Sequence, residues 1–395
     1  MDARTRGIVA ATFAAQAVAI GSTIGAFSLF VRPVAEAFSA STLAVSAGVS
    51  IITLMLGVSG VPVGLWLDRG TPRHAMFAGT FVLSTGFWFA SQAESLASLA
   101  LLCVYIGGAV PTLGPLTTMA VVGKAVADGR GRALGIANMG VPLGGLLFAA
   151  LAGVVIESWG WRTALQLFSI VTAVVCVPAV FFGIPRELHP ATSETVPEAP
   201  EGAPTPLAWN PAFWLAALAF GAGVGVLSSW YSQVGPFLDD MGLGSRQAGL
   251  LLAFSQGIAV IGTLALGALA DRVPPSLIMG SILAVVGLGF GVLATGPGLP
   301  WVIATLVITG VATGGTMPVF AALLAKRFGA GALGSGVGLA NVCLLPFGAA
   351  LPLLAGAIRD AQGSYASFLF VCLGLVVVAL GLLVASVRRS DARSA

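Results

Sequence analysis

The chain has 395 residues, 57% of them hydrophobic and only 8% charged, with a net charge of +3 and a mean hydropathy of +1.00. A soluble domain carries roughly 25% charged residues, so this composition excludes a protein whose whole surface faces water. The small positive balance says nothing of a nucleic-acid partner, and two histidines leave little material for a catalytic or metal centre.

The solvent of such a chain is a lipid bilayer. Apolar runs of the roughly 20 residues that cross a hydrocarbon core fall at about 8–30, 43–67, 74–92, 97–122, 132–156 and 163–183. A second set follows at about 211–237, 246–269, 276–296, 299–325, 332–357 and 365–387. The expected fold class is therefore all-α integral membrane, with twelve transmembrane helices in two pseudo-symmetric six-helix bundles, residues 1–183 and 211–395. The first run is longer than a signal-peptide core and lacks a small-residue cleavage site, so it reads as a span. Residues 184–210 between the bundles hold Pro185, Pro190, Pro197, Pro200, Pro204 and Pro206 among glutamates, the composition of a flexible cytoplasmic linker. Cys103, Cys176, Cys343 and Cys372 all fall in spans without close spacing and read as small apolar packers.

The two sets are copies. Gly64-Leu-Trp-Leu-Asp68-Arg69-Gly70-Thr-Pro72-Arg73 returns as Gly267-Ala-Leu-Ala-Asp271-Arg272-Val-Pro-Pro275, and the same shift of 203 carries Pro33 onto Pro236 and Glu36 onto Asp239. It also relates Gly107 to Gly310, Lys124 to Arg327, Asn138 to Asn341 and Glu157 to Asp360. A duplicated, apolar chain has the architecture of a carrier whose halves rock around a shared site. Orientation follows the positive-inside rule. With both termini cytoplasmic, fourteen of the eighteen basic residues lie inside and only Arg32, Arg162, Arg246 and Arg359 lie outside. The predicted location is the cell membrane, with the lipid bilayer and a small-molecule substrate as partners, no nucleic acid, and a monomer as the working unit.

The Gly-x-x-x-Asp-Arg loop, its second copy and the six-plus-six topology resemble the major facilitator superfamily. In that reading Gly64 and Gly267 let helices approach closely. Asp68 and Asp271, with Arg69, Arg73 and Arg272 beside them, sit where a carboxylate is favoured by a facing helix N-terminus, near Gly331–Ser335 and Gly131–Arg132 respectively. Such contacts form a latch on the cytoplasmic side; the alternative is that the charges only anchor loops. Arg132-Ala-Leu-Gly-Ile-Ala-Asn138-Met-Gly140-Val-Pro142 is similar to the span-five signature of the monocarboxylate porters and oxalate/formate exchangers. The segments Phe30–Ser46 and Pro236–Gly242 also resemble that group. The resemblance implies transport of a small organic solute such as a monocarboxylate.

The chain departs from that group where substrate is bound. Thr263 and Ala259 stand where those porters carry an arginine and an acid, and no Asp, Glu, Lys, Arg or His lies at mid-membrane depth. Neutral polar groups remain as the candidate substrate-binding set: Gln16, Tyr105 and Asn138 from the first half, Tyr231, Gln256 and Asn341 from the second. Their other reading is interhelical hydrogen bonding, and for Tyr231 and Trp230 an interfacial aromatic belt. Pro111, Pro115 and Pro142 in the first half, and Pro318, Pro346 and Pro352 in the second, are expected to break or bend their spans. Gly140-Val-Pro142-Leu-Gly144-Gly145 resembles a drug-exporter motif and leaves efflux of neutral or apolar compounds as the alternative, with a non-transporting sensor as a third. No nucleotide-binding loop, nucleophile–base set or paired intramembrane carboxylates are present, so the chain is read as no enzyme, with no cofactor and no metal.

Overall fold

The computed structural model describes residues 3–69, 71–126, 129–186, 209–296, 298–329 and 333–394, and its regular structure is helical throughout. Ten long apolar stretches in it are able to cross a membrane. One of them, Gly131–Gly183, is two spans in series, and α4 (Pro72–Ser91) completes the twelve. Most of the linker expected at 184–210, with His189, lies outside the described residues.

The first span is α1 (Ala3–Ile20), continued by a π turn over Gly21–Gly25 and then by α2 (Ser28–Phe38). A π turn leaves carbonyls poorly matched, and the Ser22 and Thr23 hydroxyls donate to the carbonyls of Val18 and Ala19 there. α3 (Thr42–Arg69) and α4 are the second and third spans. The fourth is divided into α5 (Leu96–Leu113) and α6 (Pro115–Ala125). Gly114 between them is extended, the conformation a proline imposes on its predecessor, and Thr117 Oγ1 donates across the break to the Pro111 carbonyl at 2.8 Å. The fifth is divided as well, into α7 (Arg130–Asn138) and the first arm of α8 (Gly140–Gly183). Gly160, at φ 84°, ψ 165°, separates that arm from the sixth span, a conformation open to glycine and costly for other residues.

The second half runs α9 (Pro211–Asp240), α10 (Ser245–Ala270), α11 (Pro275–Ala294), α12 (Leu299–Phe328), α13 (Leu333–Gln362) and α14 (Ala366–Ser394). Here the expectation of broken spans fails. Pro318 sits inside an unbroken α12, and Pro346 and Pro352 inside an unbroken α13. A glycine precedes Pro115 and leaves the helical region at little cost, whereas Met317 precedes Pro318 and stays helical.

Two compact units emerge, one from the described residues of Met1–Val196 with Ser232–Phe254, the other from those of Pro197–Tyr231 with Ser255–Ala395. In the first, α1 lies in backbone contact with the fifth span. A Cβ on Gly140 would strike the Phe13 carbonyl, one on Gly144 the Ala17 carbonyl, and one on Gly21 the Gly144 carbonyl. Phe30, Phe87 and Phe148 pack edge-on around Phe168 with centroids 5.7, 5.8 and 4.9 Å away. The C-terminal end of α9 and the N-terminal end of α10 belong to this unit. Gly235 abuts the Ser28 backbone, Gln233 Nε2 donates to Ser46 Oγ at 3.1 Å, and Glu157 accepts from the Arg246 N–H at 2.8 Å.

In the second unit Trp230 packs edge-on to Phe290, and Phe220 stacks on Phe320 with centroids 4.1 Å apart. Gly310 lies against the Ser255 carbonyl, as Gly107 lies against Ile52 in the first unit. Both members of that contact are related by the shift of 203, so the duplication extends to packing. Phe81, Leu101 and Phe182, at 67%, 72% and 83% exposed, are apolar surface of the kind a lipid-facing helix presents.

Candidate functional site

Gln16 and Asn138, two of the expected binding residues, meet. Gln16 is fully buried on α1, and its Nε2 donates to the carbonyl of Ala137 and to Asn138 Oδ1, both at 3.3 Å. Asn138 is the last residue of α7, four before Pro142, which supplies no N–H for its carbonyl. The pair therefore sits at an interrupted helix, between α7 and α8. Gln16 Oε1 is buried with no partner. A buried acceptor left so costs about 1–3 kcal/mol, which suits a group held ready for a donor.

Tyr105, from the same half, is 40% exposed, and its hydroxyl lies 3.3 Å from Thr85 Oγ1 on the third span. That contact turns it toward α4. Nearby, an apolar cavity of about 110 Å³ is walled by Phe27, Phe30, Gly48, Cys103 and Trp161 among others. The Ser22 and Thr23 hydroxyls that reach it are engaged by backbone carbonyls, so it offers no polar anchor. A second, open pocket of about 550 Å³ is lined by Arg6, Val9, Ala10 and Phe13 of α1 with Arg132 and Ile136 of α7.

In the second unit Tyr231 and Trp230 are buried, at 7% and 1% exposure, which removes the aromatic-belt reading. The Tyr231 hydroxyl lies 2.6 Å from Ser255 Oγ, which donates to the Leu306 carbonyl at 2.6 Å. Ser255 was not singled out by the sequence; its place, one residue before Gln256, was the available signal. Gln256 Oε1 is buried without a partner. Thr263, at the arginine position of the porters, ties α10 to α12 through the Gly314 carbonyl at 3.1 Å. Asn341 lies exposed on α13 with no hydrogen bond to a described residue. It differs from Asn138 because the residue equivalent to Gln16 is Ala219, which has nothing to donate.

The side chains of Asp68 and Arg69 lie outside the described residues, as do Gly331 and the side chain of Ser335. Asp271 and Arg272 are exposed at the turn after α10. Arg73 donates to the Phe181 carbonyl at 2.9 Å and stacks over the rings of Phe181 and Phe77, fastening the start of α4 to the end of α8. The glycines of the two motif copies do not make the expected close approach. Among the described residues a Cβ on Gly64 would meet no atom within 4 Å, and one on Gly267 would touch Pro318 Cβ at 3.7 Å. The intimate contacts are made at Gly140, Gly144 and Gly314 instead. The expected correspondence of Lys124 with Arg327 also needs correcting. Lys124 donates to the Leu67 carbonyl and Lys326 to that of Ala270, while Arg327 turns to Ser386 Oγ at 3.4 Å.

The sequence pattern of the Major Facilitator Superfamily matches residues 11–351. The chain is 25% identical over 381 residues to "Uncharacterized MFS-type transporter YcxA" of Bacillus subtilis, covering 91% of this chain and 90% of that protein. It is 26% identical over 386 residues to "Monocarboxylate transporter 11" of Mus musculus, covering 94% and 84%. Among solved structures, a bacterial homolog of the human lysosomal transporter Spinster, in an inward-facing and occupied conformation, superposes with a TM-score of 0.78 at 18% identity, covering 98% and 97%. That likeness shows the fold. With the duplicated twelve-span architecture and a family match over most of its length, this chain belongs to the Major Facilitator Superfamily of membrane transporters.

Proposed function

We propose that this protein carries a small organic acid across the cell membrane by alternating access, with both termini cytoplasmic and the monomer as the working unit. The six-helix halves, residues 1–183 and 211–395, are the moving bodies, joined by 184–210. The observation that carries the reading is the uncharged amide pair Gln16–Asn138 at the α7–α8 interruption, with Gln16 Oε1 unpartnered. Likeness to a monocarboxylate transporter along 94% of the chain supports the substrate class. The basic residues support the orientation.

In this reading Gln16 and Asn138 offer the solute neutral hydrogen bonds, and Tyr231, Gln256 and Asn341 are candidates for the same role. Asp68 and Asp271, with Arg69 and Arg272, are cytoplasmic latches favoured by helix N-termini when that side is shut. Counterflow in proteoliposomes tests it, with acetate, lactate, pyruvate and benzoate set against neutral solutes of matched size. Accelerated exchange is expected for the acids. Exchange of the neutral solutes alone would overturn the acid reading and leave an exporter of neutral compounds.

A further inference from the structure

The sequence leaves Arg6 and Arg132 as topology signals, two of the charges that hold a loop on the cytoplasmic side. The structure gives them a common surface. Arg6 lies on the same stripe of α1 as Val9, Ala10 and Phe13, at spacings of three, four and seven residues, and with Arg132 and Ile136 of α7 these line the open pocket of about 550 Å³. Among the described residues neither guanidinium has a hydrogen bond or an ion pair, and both are exposed. The pocket thus combines two exposed guanidinium groups with an apolar wall. The stripe on α1 continues to Gln16, about 15 Å beyond Arg6 at the helical rise, where the unpartnered Oε1 and the Asn138 amide lie.

We propose that Arg6 and Arg132 form a capture site for an amphiphilic monocarboxylate at the cytoplasmic end of the route. The guanidiniums take the carboxylate, which their planar N–H forks match, and Val9, Ala10, Phe13 and Ile136 take its hydrocarbon body. This rests on the organic-acid reading above and adds to it a place and a pair of residues. It also relieves the difficulty posed by Thr263. The anion is recognised where guanidinium groups stay hydrated and inexpensive, and only neutral groups meet it at depth. The same chemistry suits the phosphate of an anionic lipid, so the test separates the two sources.

The test is binding of benzoate, acetate, lactate and pyruvate to the purified full-length chain in phosphatidylcholine nanodiscs, by calorimetry. The variants are Arg6→Gln, Arg132→Gln and Arg6→Lys, with Arg4→Gln as a neighbouring charge that does not line the pocket. Benzoate, the most apolar of the four, should bind most tightly to the wild type. Each Gln variant should weaken it about tenfold, Arg6→Lys should retain part of the loss, and Arg4→Gln should leave it unchanged. Benzamide should bind weakly and equally to all.

Equal losses in Arg4→Gln would reduce the effect to surface potential and overturn the proposal. So would wild-type affinity in both Gln variants, or no binding of any of the four acids. Adding phosphatidylglycerol to the discs should leave benzoate affinity unchanged; loss of benzoate binding there would assign the pocket to a lipid headgroup instead. Counterflow on the same preparations keeps the two readings apart. Acid exchange that is indifferent to both arginines defeats the capture site alone, while exchange of neutral solutes only defeats the function on which it rests.

Discussion

Lys124 and Lys326 hold equivalent helix ends: Nζ of Lys124 donates to the Leu67 carbonyl at 2.7 Å, and Nζ of Lys326 to the Ala270 carbonyl at 2.9 Å. Each acceptor lies in the last turn of its helix, immediately before the aspartate of a motif copy, where carbonyls lack partners and a cation is favoured. The separations are 57 and 56 residues, so the repeat slips by one between the carbonyl and the cation. The fourth and tenth spans thereby brace the loops that follow the second and eighth.

This bracing predicts an order of stabilities. Lys124→Met should cost about 1.5–3 kcal/mol, the range for a hydrogen bond to a charged group. Lys326→Met should cost less, because that side chain is exposed. Arg327→Met should leave the Ala270 contact in place and change the thermal midpoint in detergent least. A larger loss in Arg327→Met than in Lys326→Met would restore the uniform shift and defeat the assignment.

The glycines give a second prediction. Gly144→Ala would drive a methyl into the Ala17 carbonyl, and overpacking between backbones costs about 1–3 kcal/mol or prevents assembly. Gly64→Ala, with no described atom within 4 Å of the added methyl, should express and melt like the parent. Expression level and thermal midpoint decide this, and similar damage from both would mean that Gly64 is packed closely in another state of the carrier.

A third prediction concerns the amide pair. Gln16→Leu removes both donated hydrogen bonds and the orphaned acceptor together, so its effect on stability should be small, whereas Asn138→Ala leaves Gln16 Nε2 with only the Ala137 carbonyl. Both should raise the half-saturation concentration in acid counterflow severalfold. In a double-mutant cycle the two changes should fall short of additivity by about 0.5–1.5 kcal/mol. Strict additivity would show that the residues act on the solute independently.

The spans were legible because run length and composition decide them, and the duplication because Gly107, Gly310 and the aspartate motifs recur at one shift. Helix rotation was not legible. Depth alone made Tyr105 a candidate, yet its hydroxyl meets Thr85, a matter of which face the helix presents. Lys326 was hidden by its neighbour Arg327, since residue type does not reveal a slip of one between two cations. Arg6 and Arg132 were hidden by a sufficient explanation: the positive-inside rule accounts for their charge and is silent about the pocket beside them. Proline misled in the second half because its effect depends on the residue before it, glycine at 114 and methionine at 317.

The charge of the transported species gives the last prediction. Arg6 and Arg132 line one pocket, and the sequence puts no Asp, Glu, Lys, Arg or His in the middle of a span to cross with the solute or to carry a proton beside it. A carboxylate that moves through the neutral groups of Gln16, Asn138 and Tyr231 therefore carries its full charge through the membrane field. That makes net uptake electrogenic, about 2.3 kcal/mol per charge for each 100 mV, unless a second anion returns by the same route. In proteoliposomes with an empty lumen, acid uptake should generate an inside-negative potential that a voltage-sensitive dye reports. Preloading with the same acid should abolish the potential while speeding exchange of label. Strict one-to-one proton symport, unchanged after neutralising Glu36, Asp239 and Asp240, would contradict this and would mean that the solute crosses as its neutral acid.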